Sequence, residues 1–166
     1  VPVMLSMRTG LYTDLATGNT TAMGSADMMT AVLPTIGSGA DVTGMMITAL
    51  TSMAQARAQA MAGGMIDANI NAANTAVGNY FMTPDILHTP CMDPAVVNSG
   101  GGATPEQRSC GITVAAMSQY AMTLGMPVSS GLITAMMNDA SDGRMDGKMG
   151  GTAINMGSMG GMMGGG

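Results

Sequence analysis

The residues able to do chemistry are few, and their spacing limits what they can do. His88 is the one histidine. It sits in a proline-rich loop where the sequence assigns it no acid or thiol partner, so a structural or incidental role is expected. No His–Asp set accompanies the serines and threonines, so a nucleophilic triad has nothing to start from. No enzymatic activity is expected. Cys91 and Cys110 are the two cysteines, and nothing near them resembles a CxxC redox or zinc pattern. One disulfide is the expectation, set against two free buried thiols. A closed loop of this size contributes about 3 kcal/mol in the chain-entropy model.

Two cation sites are conceivable. The turn from Asn138 to Met149 aligns with an EF-hand-like calcium loop, with Gly143 at the obligatory glycine, Asn138 and Asp142 as first and fifth ligands and Asp146 as ninth. Ala140 occupies the third position, and Met149 stands where a bidentate Glu is required. A pair of Asp-Gly turns is the simpler reading, and any calcium would be held weakly by Asp139, Asp142 and Asp146 in another arrangement. Further on, Met156, Met159, Met162 and Met163 carry thioethers at MxxM spacing between flexible glycines, which suits Cu(I), a soft ion. With 23 methionines in the chain, such spacing also arises from composition alone.

The composition bounds the surroundings of these residues. The 166 residues are 46 % hydrophobic, 9 % charged and 2 % aromatic. That is too apolar for a solvated disordered chain, and no apolar run of ~18 residues exists to form a membrane-spanning helix. A net charge of −5 with five Lys and Arg argues against nucleic acid as a partner. A soluble monomer carries about a quarter charged residues, so part of this surface is expected to be covered by copies of the chain. The chain opens Val1-Pro2-Val3 without an initiator Met or a leader. This fits a removed signal peptide or an internal piece of a longer product. Sparse Lys and a paired cysteine count suit an extracellular or cell-surface location.

Along the chain, residues 1–40 read as a β-strand segment and linker. Val3, Leu5 and Met7 alternate on one side of a strand over 2–9, Gly10–Gly18 is turn-like, and 27–33 is a second strand ended by Pro34. Residues 41–142 read as a helical domain. Its first helix runs from Asp41 to Gly63, with Ile47, Leu50, Ala54, Ala58 and Met61 on one face, and a second from near Asp67 carries Ile70, Ala73, Val77 and Phe81. A loop over 82–103 holds Cys91. The third helix starts with Thr104 as N-cap, Pro105 and Glu106 and buries Cys110, Val114, Met117 and Ala121. A fourth, from Ser129 or Ser130 to Ala140, turns Leu132, Ile133, Met136 and Met137 inward. Residues 143–166 are an Asp/Gly turn and an irregular Gly/Met-rich tail. The expected fold is mainly α: four antiparallel helices with a short N-terminal β-hairpin-like segment.

Leu11-Tyr12-Thr13-Asp14-Leu15-Ala16-Thr17-Gly18 resembles a "YTDEATG" stretch that ends an immunoglobulin-like β-domain in large exported proteobacterial surface proteins. Ile47 to Ala54 is similar to the "TPLTxLA" helix start that follows it there, although Ala49 stands where Pro is expected. Asp85-Ile86-Leu87, Thr89-Pro90 and Asp93-Pro94 resemble the loop between the helices of those modules. Ala116 to Gln119 and Asp139 to Lys148 resemble their closing helices and "DGxxDGK" turn. The resemblance covers roughly residues 10 to 150 and implies an exported helical module attached to a β element, with no chemistry. The functional expectation is an exported structural subunit that self-assembles into a fibre, sheath or surface layer. Assembly would run through Val3, Leu5 and Met7 of the first strand and Met159, Met162 and Met163 of the tail. A Cu(I)-binding protein and a passive adhesin domain are the alternatives.

Overall fold

A computed structural model describes residues 1–142, 144 and 146–154. The N-terminal 33 residues form two nested antiparallel pairs. The outer pair joins β1 (Val3–Met7) to β4 (Met29–Leu33) in the register Val3↔Leu33, Leu5↔Ala31, Met7↔Met29. The inner pair joins β2 (Leu11–Thr13) to β3 (Thr20–Ala22). Thr17 and Gly18 close the turn between β2 and β3: both backbone N–H groups donate to the Asp14 carbonyl, and Gly18 takes φ +73°. A residue with a Cβ would resist that left-handed conformation.

Four helices follow: α1 (Ala49–Ala60), α2 (Asp67–Tyr80), α3 (Pro105–Thr123) and α4 (Ser130–Ala140). α1 is central. It packs on β4, α2 and α4, and nine of its twelve residues are buried. The small side chains Ala49, Ala54, Ala56 and Ala58 permit this close approach on several sides, while Leu50 and Met53 fill the space between elements. The core also takes Val32, Ile70, Ala73, Ile86, Cys110, Ile133 and Met137. Phe81, Val77, Val114, Met117 and Met136 lie half-buried at its margin.

The fold is mixed α/β rather than mainly α with an irregular tail. Three two-stranded antiparallel sheets are present among the described residues. The third pairs β5 (Lys148–Met149) with β6 (Thr152–Ala153) inside the segment expected to be irregular. The two residues between them, Gly150 and Gly151, both take positive φ, as the favoured hairpin turns require. β2 and β3 escaped the strand pattern because three residues are too short to display alternation. α1 begins at Ala49, not Asp41: Gly44 sits at φ +71°, and Thr48 and Thr51 form a reciprocal capping box that sets the start. α2, α3 and α4 begin within a residue of the expected positions, and α3 uses the expected Thr104 cap, reciprocated by Gln107.

β4 is buried from Thr30 to Leu33 because the edge away from β1 is sealed by helices. The Thr30 N–H donates to Ser52 Oγ at 2.9 Å, and the Thr30 carbonyl accepts from Thr51 Oγ1 at 2.7 Å and Ser52 Oγ at 3.3 Å. Asn74 of α2 donates to the Val32 carbonyl at 3.4 Å. Ser52→Ala strips the buried Thr30 N–H of its acceptor, and a buried unpaired donor costs about 1–3 kcal/mol. Urea denaturation is expected to show a loss of that size with an unchanged denaturant slope.

Candidate functional site

The register defines a backbone site on β1. Because both polar groups of Thr30 point to α1, the Ser6↔Thr30 pair is a non-hydrogen-bonded one, and antiparallel alternation makes Met4↔Val32 another. The N–H and C=O groups of Met4 and Ser6 therefore point away from β4. They meet no partner among the described residues. Both residues are exposed, Met4 by 55 %. The Val3, Leu5 and Met7 side chains differ among themselves: Val3 is exposed, whereas Leu5 and Met7 are half-buried. The free groups of this strand thus belong to the two residues between those singled out by alternation. A second apolar surface lies on α3, where Ile112, Ala116 and Tyr120 are exposed at helical spacing.

A polar clasp ties the inner hairpin to the helices. Asp14 is buried, and its carboxylate accepts from Ser129 Oγ at 2.6 Å, Ser118 Oγ at 2.9 Å and the Ala16 N–H at 3.0 Å. Since the Ser129 proton goes to Asp14, Tyr12 donates to Ser129 Oγ at 3.0 Å and accepts from the Ser130 N–H at 3.2 Å. Ser130 Oγ in turn donates to Asp27 at 2.5 Å, and Thr134 Oγ1 donates to the other Asp27 oxygen at 3.2 Å. Burial alone would push the Asp14 carboxyl up. The donors Ser129, Ser118, Ala16 and Thr17 together outweigh it and hold the group below the usual carboxylate range. The Tyr12–Asp14 motif and the α4 N-terminus are therefore one structural device, with every proton committed to holding it.

Cys91 and Cys110 form a disulfide that pins the proline-rich loop to α3. The Met92 N–H donates to the Gln107 carbonyl at 2.9 Å beside it. The chain passes so close that a Cβ on Gly111 would strike the Met92 carbonyl. Among the described residues, no helix is long and apolar enough to cross a membrane.

The expected cation ligands face N–H groups instead of a common centre. Asp139 Oδ1 accepts from the backbone of Asp146, Gly147 and Lys148 at 3.0, 2.8 and 3.2 Å. Asp142 accepts from Arg144 and Gly150, and Asp146 from Lys148. Among the described residues no three His, Cys, Asp or Glu side chains gather as a metal would need. The arrangement is a hydrogen-bonded turn that carries the chain from α4 into β5. Met156, Met159, Met162 and Met163 lie outside the described residues. His88 has an acid partner that sequence reading missed: its Nδ1 lies 3.0 Å from Asp85, three residues earlier, with both side chains exposed.

No family model matches this chain, and no curated protein and no solved structure matches it either.

Asp14→Asn is expected to cost about 1–3 kcal/mol at neutral pH, because an amide cannot accept from every donor of the clasp. Folding lowers the Asp14 pKa from its ordinary 3.8. Its contribution is therefore complete above that value and is lost as pH falls through the lower folded one. Urea midpoints between pH 7 and pH 2 should fall more steeply for the native chain than for Asp14→Asn; parallel curves would remove Asp14 from this role. Gly111→Ala forces the loop off α3, and overpacking of this kind costs about 1–3 kcal/mol. Thermal unfolding should register it, and alkylation under native conditions should find the thiols more readily reduced.

Proposed function

We propose that this protein is an exported structural subunit that assembles with copies of itself through the open edge of β1. The observation that carries the reading is the backbone of Met4 and Ser6, which offers unpaired donors and acceptors on an exposed strand. Exposed edges of this kind template a further strand, and natural monomers blunt them with charge, proline or a covering element. Here the strand itself reads Val-Met-Leu-Ser-Met, and the flanking Pro2 and Arg8 leave the Met4 and Ser6 backbone groups open. The low charge density and the exposed α3 face, Ile112 and Tyr120, support a second contact distinct from the first. Two separate adhesive patches let copies add without closing on themselves, which gives a filament or layer. The disulfide supports an oxidising compartment outside the cytosol, and the likeness of residues 10–150 to exported surface-protein modules supports the same placement.

Met4→Pro combined with Ser6→Pro tests it. Both substitutions remove only N–H groups that point away from β4, and proline is tolerated in an edge strand at such positions. Light scattering coupled to gel filtration is expected to show concentration-dependent high-mass species for the native chain. The double variant should be a folded monomer by circular dichroism. A native chain that stays monomeric at high concentration, or a double variant that assembles equally, would overturn the reading.

A further inference from the structure

α1, α2 and α4 border a cleft of 590 Å³, within the range of small-molecule sites, about 300–1,000 Å³. Its construction is graded. The floor is Met53 and Ala140, both buried. Val77 and Phe81 are half-buried walls, and the exposed rim carries Arg57, Tyr80 and Arg144. The chain has only five cationic side chains and four aromatic ones. Two of each meet here, Tyr80 and Phe81 edge-to-face at 4.9 Å. No Asp or Glu lines the cleft. Neither guanidinium joins an ion pair among the described residues, although the chain is acidic overall. Arg57 lies in the last turn of α1, where the helix dipole favours a cation. Arg144 likewise follows the C-terminal end of α4; helix dipoles favour a cation at such ends but do not require that both guanidinium groups border one apolar floor.

We propose that this cleft binds a small amphipathic anion, a carboxylate on an unbranched hydrocarbon chain. The anionic head meets Arg57 and Arg144 at the rim, and the hydrocarbon lies over Met53, Val77, Phe81 and Ala140. A polyanion or sugar is disfavoured because the floor offers it no hydrogen-bond partner, and burying polar groups unpaired is costly. A neutral hydrocarbon leaves both guanidinium groups unused. The thioether of Met53 adapts to the shape of a flexible chain.

Dodecanoate, with dodecanol as its uncharged counterpart, is the probe. Isothermal titration of the full chain should show saturable one-to-one binding of dodecanoate, with dodecanol roughly tenfold or more weaker. Arg57→Gln with Arg144→Gln should weaken dodecanoate by a similar factor and leave dodecanol unchanged. Both positions are exposed, so the fold of that variant is retained and is checked by circular dichroism. Methyl NMR should place the shifted signals at Met53 and at Met136, which also lines the cleft. The proposal fails if dodecanoate does not saturate below about 1 mM, if the double variant binds it as the native chain does, or if the shifted methyls lie elsewhere.

Discussion

The peptide group of Thr30 is held by hydroxyls of a helix where a neighbouring strand would ordinarily sit. Thr51 and Ser52 take both its N–H and its C=O, and this capture governs the rest of the N-terminal half. A buried strand must satisfy its backbone, and α1 does so without lending a strand of its own. The sheet is thereby closed on one side and left with β1 as its boundary on the other. Serine and threonine inside a helix commonly turn back on their own carbonyls. Thr51 and Ser52 do that too, to Thr48 at 3.0 and 2.8 Å, so each hydroxyl serves helix and strand together.

Short hydroxyl contacts of this kind recur because the composition leaves few other means. With 9 % charged residues and one Phe, no ion pair joins one helix or strand to another among the described residues, and large rings are few. Asp14 and Asp27 each collect hydroxyls from the N-cap or first two turns of α4, and Asp14 also reaches Ser118 of α3. A carboxylate at a helix N-terminus is further favoured by the helix dipole. The hairpin, which is too short to be stable alone, is thus fixed by charge-assisted hydrogen bonds, stronger than neutral ones. Asp139 does the same for the turn after α4 by accepting three backbone N–H groups.

What the sequence made legible follows from range. The outer strands, three of the helices, the Thr104 cap and the Cys91–Cys110 bridge rest on local patterns or a forced pairing, and those patterns sit in the residues concerned. The inner hairpin was hidden because Leu11–Thr13 and Thr20–Ala22 derive their order from the Asp14 turn and from Ser129, 115 residues away. The Gly150–Gly151 hairpin did carry a local signal, a two-glycine loop, which the surrounding glycine content obscured. The aspartates of the last turn suggested a cation because spacing shows where carboxylates lie along the chain and not which way their oxygens point. Arg57, Tyr80 and Arg144 gave no motif at all. Only the packing of α1 against α2 and α4 brings them to one rim.

The geometry of β1 also limits what its edge does alone. Met4 and Ser6 supply four free backbone groups, and each intermolecular hydrogen bond adds about 0.5–1.5 kcal/mol net. Two chains that associate lose translational and rotational freedom worth about 4–15 kcal/mol. Four such bonds reach only the bottom of that range. Pro2 has no N–H, so the edge does not lengthen usefully toward the N-terminus. In the proposed contact the backbone would fix register and direction, while affinity would have to come from apolar burial. Val3 and Met4 beside the edge and Ile112 and Tyr120 on α3 are the exposed apolar groups best placed to supply it. On the proposed reading, the edge and the α3 face would have to engage together for a copy to add. Coupling of that kind would favour long assemblies over isolated pairs.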